Sequence, residues 1–238
     1  MEQTLHISAG GANTRISNYL ERQHNGAPKA LLPLPGTGLT LISKIVSDAE
    51  NTFEQIIVHT TPLTHSALVD HLSSKTKKVE YRCSEPASFL SPLLAEMNTS
   101  DRAFICSCDF YSSVTWNDLI DFHESHNFDV SCVATNSAPS IRGTTVLTKD
   151  KRVVGWQSNC RVSASDYVNL GMYVFELSDE VSVLLRKLLP VLDEKVEPEL
   201  IKKKLLACLS KNIIGFNVNY CSSYEKLISY LNNGHFNN

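Results

Sequence analysis

Ala9-Gly10-Gly11-Ala12-Asn13-Thr14-Arg15 follows a short apolar run. Its small residues would let consecutive backbone N–H groups close around an anion. Arg15 adds a planar, permanently charged fork suited to phosphate oxygens. Pro28-Lys29 then offers a second cation beside a rigid ring. A glycine turn of this kind is more often a plain tight turn. It is neither a Walker A loop, G-x-x-x-x-G-K-[ST], nor a dinucleotide fingerprint with three spaced glycines. Asp109 ends the apolar run AFICSC, where an open sheet would present a magnesium ligand; a turn or N-cap aspartate looks the same. Asn169 and Gly171 lie inside the strand-like run YVNLGMY, where glycine marks either close approach of a ligand or a bulge.

The other reactive side chains form no set along the chain. His6, His59, His65, His71, His123 and His126 share no spacing with a carboxylate or cysteine that suggests a ligand group. His123 and His126, at i and i+3, read as a solvated helix face, as does the run Lys202-Lys203-Lys204. There is no G-x-S-x-G nucleophile elbow. The seven cysteines are odd in number and lie mostly in apolar runs, which predicts free buried thiols in a reducing compartment, the cytoplasm.

Apolar periodicity supplies the elements that must position these residues. Strands are expected at Leu5–Ser8, Phe53–Thr60, Lys78–Arg82, Ala103–Cys108 and Phe128–Thr135. Helices are expected at Leu39–Ala49, Leu63–Leu72, Ser88–Met97 and Trp116–His126. Strand and helix in alternation imply right-handed crossovers and a parallel sheet covered on both faces. After about Asn136 the pattern changes. Thr144–Thr148, Arg152–Trp156 and Tyr167–Phe175 read as strands without intervening helices, which suggests an antiparallel elaboration. Ser178–Leu188 and Glu197–Leu209 read as helices, Ile213–Asn219 as a strand and Ser222–Leu231 as a closing helix.

With 22 Lys and Arg against 25 Asp and Glu, the net charge is −3, too even for a nucleic-acid binder that relies on a basic face. No run of about 18 apolar residues exists, so no membrane span is expected. The start MEQTLHISAGG lacks a basic segment followed by a long apolar core, so no signal peptide is expected. At about 150 residues per domain, 238 residues suit one large domain.

Together these segments resemble the sugar-1-phosphate nucleotidyltransferases, the family that makes nucleotide sugars. Its A-G-G-x-G-T-R opening and later P-K-x-L-L-P are matched by Ala9 to Arg15 and by Pro28 to Pro33. AFICSC-Asp109 is similar to the family's apolar strand ending in Gly-Asp, and Asp118 to His123 to its D-L-x-x-F-H segment. Asn169, Gly171 and Tyr173 match N-x-G-x-Y. The order runs through nearly the whole chain.

The resemblance implies a Rossmann-like α/β fold, a mostly parallel mixed sheet with helices on both faces. It implies a single domain, 1–238, with a nucleotide-binding half, 1–136, and a β-rich sugar-phosphate-binding half, 137–238. The implied partners are a nucleoside triphosphate and a sugar-1-phosphate or similar small phosphate, with Mg2+ as cofactor and a homo-oligomer left open. Ala9, Gly10, Gly11, Asn13 and Ser88 would hold the nucleotide, and Arg15 the leaving pyrophosphate. Lys29 would neutralise the α-phosphate, Asp109 and Asn219 would hold the metal, and Asn169 and Gly171 would border the sugar.

The chain departs from the family at several points. Asn13 and Cys108 stand at glycine positions, Ala87-Ser88-Phe89 at the base-reading turn, Ser158-Asn159 at a Glu-Lys pair and Asn219 at a metal carboxylate. Two other readings follow from these departures: a weakened homologue that binds nucleotide as a regulatory subunit, and transfer to a non-sugar phosphate, with Arg152 or Arg161 supplying the missing charge.

Overall fold

The computed structural model describes residues 3–10, 15–74, 76, 78–84, 90, 92–97, 100–136, 142–163, 166–188, 195–210 and 213–233. In the first part of the chain β1 (Thr4–Ser8), α1 (Ser17–His24), a 3-10 turn (Lys29–Leu31), β2 (Pro33–Leu34), β3 (Leu39–Thr40) and α2 (Leu41–Ala49) lead into β4 (Gln55–Thr60). Then come α3 (His65–Ser73), β5 (Val79–Cys83), α4 (Leu93–Glu96), β6 (Arg102–Ser107), β7 (Phe110–Ser112), α5 (Trp116–Glu124) and β8 (Val130–Thr135). The second part holds β9 (Arg142–Lys149), β10 (Arg152–Arg161), β11 (Tyr167–Glu176), α6 (Asp179–Leu188), α7 (Val196–Lys202), β12 (Leu206–Leu209), β13 (Gly215–Asn217) and α8 (Cys221–Asn232).

Nine strands form one sheet in the order β5-β4-β1-β6-β11-β8-β12-β10-β9. Seven run in one direction, and β10 and β11 run against them. The β1 to β4 to β5 winding proceeds one way, and the crossover through α4 then returns to β6 on the other side of β1. The strand order thus reverses between β1 and β6, and their carboxyl ends open a crevice at the place where doubly wound sheets bind ligands.

Every residue of Ala103 to Cys106 is buried because the sheet is covered twice. Phe104 and Cys106 pack with Phe53, Trp116 and the apolar stripe of α2. Ala103 and Ile105 face Tyr173, Phe175 and Leu185 on the other side. The α5 start is set by Thr115, whose hydroxyl accepts from the Asp118 N–H while the Asp118 carboxylate accepts from the Thr115 N–H.

Two expectations need correction. Glu197–Leu209 is not one helix: α7 stops at Lys202, Lys204 takes φ +62°, and Leu206–Leu209 forms β12 between β8 and β10. The apolar run Leu205–Leu209 fits helix or buried strand equally, and the open flank of β8 decides. The stretch between Arg15 and Pro28, where the sequence pattern names no element, contains α1, in which only Leu20 is buried. Of the helix expected at Ser88–Met97, α4 is present, while 88, 89 and 91 lie outside the described residues. The thiols are all free, with Cys106, Cys108, Cys132 and Cys208 buried, Cys83 exposed and the other two half-buried.

The histidines also differ from the expected wet face. His123 is 3% exposed. Its Nδ1 lies 2.8 Å from Ser131 Oγ, its Nε2 lies 3.1 Å from Glu176 Oε1, and His126 Nε2 reaches the same serine at 3.1 Å. On β1, fully buried His6 sits 2.9 Å from His59 Nε2 and 2.9 Å from Glu96 Oε1. Packing of α5 against β8 and β11 makes the first group, and packing of α4 against neighbouring β1 and β4 makes the second, so chain spacing does not announce their partners.

Burial first, then the neighbouring His6 and Arg82, lowers His59 to about 4. Burial, then His123 and Lys151, lowers His126 to about 4. Between about pH 4 and 6.5 the unfolded chain therefore binds protons that the folded chain refuses, so stability rises with pH across that window and levels off above it. Each ring contributes on the order of 1 kcal/mol after solvent screening, roughly 2–4 °C in Tm. Calorimetry across this window should show the rise, and a combined His59→Gln, His126→Gln variant should flatten it. A slope unchanged by the double substitution would refute the assignment.

Candidate active site

A cleft of about 360 Å³ opens at the carboxyl ends of β1 and β6. Ala9 follows β1 directly, and its N–H donates to the His59 carbonyl at 2.8 Å. Gly10 is packed so tightly that a Cβ there would lie 2.8 Å from Thr61 Cγ2. On the other side of the crevice Cys108 N–H bonds to the Ser8 carbonyl at 3.2 Å, which places Asp109 at the crevice mouth. Burial, reinforced by the Asp109 charge, pushes the Cys108 thiol up to about 12, so it stays protonated at neutral pH.

Lys29 opens the 3-10 turn behind Pro28, with only 11% of its side chain exposed. Its ammonium lies 2.6 Å from Asp109 Oδ2 and 2.9 Å from Asn219 Oδ1. Residues distant in the chain meet here because β7 and β13 form a two-stranded ribbon, with Asn217 opposite Phe110. The Val218 N–H closes that ribbon on the Asp109 carbonyl at 2.7 Å. Burial alone would raise the Asp109 carboxyl, but the Lys29 charge and hydrogen bond, with the Ser107 hydroxyl, hold it below the usual carboxylate range. Asp109 is thus a permanent anion at neutral pH.

The third wall is β11, which runs antiparallel between β6 and β8. A bulge between Asn169 and Tyr173 sets Gly171 at φ +75°, and a Cβ there would lie 2.7 Å from Ser107 Oγ. Only glycine meets both conditions. Asn169 builds the bulge: its Oδ1 accepts from the Gly171 N–H at 3.2 Å, and its Nδ2 donates to Tyr173 Oη at 2.7 Å. The Tyr173 hydroxyl in turn donates to Glu197 Oε1 at 3.2 Å. Glu197, Trp156 and Thr144 line this end of the cleft together with Ser158.

Of the residues singled out in the sequence, Ala9, Lys29, Asp109, Asn169, Gly171 and Asn219 therefore line one cleft. Gly11, Asn13 and Ser88 lie outside the described residues. Arg15 does not join them. It is exposed and faces a separate cleft of about 440 Å³ with Tyr19, Arg22 and Glu225. Its neighbour Ile16 is buried with Leu20 and Leu227, which turns Arg15 away. Arg152 and Arg161 do not line the main cleft either. Sequence reasoning missed Glu197, Trp156 and Asn217. No local pattern marks them, since they reach the cleft only through α7, β10 and β13.

Among the described residues no group of three or more His, Cys, Asp or Glu side chains could hold a metal. Two oxygens, Asp109 Oδ2 and Asn219 Oδ1, do converge on one cationic position, with Lys29 standing there. That pair suits magnesium, which takes one or two protein oxygens and completes its shell with water and phosphate.

No protein-family model matches the chain. It is 26% identical over 180 residues to "Putative mannose-1-phosphate guanyltransferase" of Sulfolobus acidocaldarius, covering 71% of this chain and 47% of the relative. The chain thus spans about half the length of that curated relative. Among solved structures it is similar to a Bacillus anthracis protein described as "Putative Glucose-1-Phosphate Thymidylyltransferase", with a TM-score of 0.79, 14% identity and coverage of 100% of this chain and 98% of the other. HddC of Yersinia pseudotuberculosis gives a TM-score of 0.70 at 14% identity over 95% of this chain and 98% of its own. A UTP-bound UGPase of Acinetobacter baumannii gives 0.69 at 14% identity over 99% and 95%. Among the described residues no helix is long and apolar enough to cross a membrane. In sequence and in fold, the chain is similar to the sugar-1-phosphate nucleotidyltransferases.

Proposed function

We propose that the chain transfers a nucleoside monophosphate from a nucleoside triphosphate to a sugar-1-phosphate. An oxygen of the acceptor phosphate bonds to the α-phosphorus, the bond from that phosphorus to the bridging oxygen breaks, and pyrophosphate carries the electron pair away. The observation that carries the reading is the Lys29–Asp109–Asn219 cluster at the point where the strand order reverses. Such transfer depends on positioning and on neutralising phosphate charge. Lys29 would leave Asp109 to meet the α-phosphate, and Asp109 and Asn219 would hold magnesium. The ion supplies charge neutralisation at the phosphates when bound. Ala9 and Gly10 border the nucleotide, which residues 1–136 would bind, and the β11 bulge borders the sugar phosphate in 137–238. The curated relative's name, "Putative mannose-1-phosphate guanyltransferase", and the UTP held by the UGPase support this substrate class.

The orientation of Arg15 favours a second reading, a subunit that binds nucleotide without turning it over. Pyrophosphate release separates the two. A panel of nucleoside triphosphates against sugar-1-phosphates, with magnesium, should yield pyrophosphate only when both substrates are present. Tight nucleotide binding without release across the panel would support the second reading. Release with a non-sugar phosphate alone would move the acceptor class.

A further inference from the structure

The polarity of the hydrogen bonds along the cleft floor singles out Asn217. An ammonium only donates, so Lys29 faces Asn219 through that residue's Oδ1, at 2.9 Å. Asn219 Nδ2 then points away from the cation position and donates to Asn217 Oδ1. Asn217 Nδ2 is left facing the Asn169 carbonyl, which only accepts, at 3.5 Å. With a pure donor at one end and a pure acceptor at the other, neither amide can turn over. Either flip sets donor against donor or acceptor against acceptor. Asn217 is itself held in the β7–β13 ribbon opposite Phe110, one residue from Asp109 in the chain.

We propose that Asn217 is a positioning residue that steers the oxygen of Asn219, rather than its nitrogen, toward the cation site beside Asp109. The proposal rests on the reading above, in which Asp109 and Asn219 hold the divalent ion. An asparagine has one end that binds a cation and one that repels it, so it needs this guidance. An aspartate carries oxygen on both ends and needs none. The dependence on Asn217 should therefore vanish when position 219 becomes aspartate.

The test compares four whole-chain proteins: wild type, Asn217→Ala, Asn219→Asp and the double variant. Mn2+ is titrated into each and free ion is followed by electron paramagnetic resonance, alongside kcat and KM. Loss of an orienting partner of a metal ligand typically weakens affinity about 10–100-fold. Asn217→Ala should bind Mn2+ at least about tenfold more weakly than wild type on that basis. Asn219→Asp and the double variant should match each other. Equal weakening in both backgrounds, or in neither, would overturn the proposal. A raised acceptor KM that Asn219→Asp does not relieve would overturn it too, by making Asn217 a substrate contact. Asn217→Val, β-branched and without an acceptor, repeats the comparison if alanine unsettles the ribbon. Wild-type protein that binds no Mn2+ removes the cation site together with the role of Asn217. Wild-type protein that binds and turns over, with no dependence on position 217, removes the role of Asn217 alone.

Discussion

Asp109→Asn is expected to lower kcat about 1,000-fold, with nucleotide affinity in the absence of metal changed far less. The carboxylate is one of two oxygens converging on the cation position, and it alone is charged. A metal neutralising transition-state phosphate is worth several kcal/mol, and asparagine keeps the shape of the side chain while discarding its charge. Among the described residues the substitution also leaves the Lys29 ammonium, 11% exposed, with the neutral Asn219 amide in place of an ion pair. A lowered thermal midpoint is expected as well. Single-turnover kinetics with varied magnesium distinguish the two effects. A folded Asp109→Asn protein with wild-type turnover would eliminate the assigned role.

Lys29→Met is expected to cost about 100–1,000-fold in kcat, the range seen when one preorganised group aimed at developing charge is removed. A second consequence is specific to this geometry. Lys29 is the main influence holding Asp109 down against burial. Without it the carboxyl moves up, and the acid limb of the pH–rate profile should shift toward higher pH. Activity lost without any movement of that limb would mean that Lys29 acts on substrate but not on Asp109. If neither changes, the cluster is structural.

Much of the frame was legible because its signals are local. AFICSC reads as a doubly covered strand from six residues, and Asp109 at its end follows from the rule for carboxyl ends of open sheets. The α2 and α5 stripes announce themselves by their period. Asn169 and Gly171 were visible as oddities within a strand, although their partnership with Tyr173 was not. The failures share one cause. Leu206–Leu209 is a strand because β8 has an open flank. His123 is buried because Ser131 and Glu176 receive its ring nitrogens. Arg15 turns away because Ile16 is claimed by the core.

By itself the sequence determined the alternation of strands and helices, the placement of Asp109 at the end of an apolar run and of Lys29 beside Pro28, and the absence of a nucleophile elbow or phosphate-loop signature. Hydrophobic period and local turn chemistry suffice for these, since each depends on a few neighbouring residues. The tertiary structure alone decided that Lys29, Asp109 and Asn219 share one point, that Glu197 and Trp156 face the same cleft, and that Asn217 orients an amide. Those facts depend on strand order and on the β7–β13 ribbon, which joins segments about a hundred residues apart. Pairings at that separation are selected by global packing, and no local pattern encodes them.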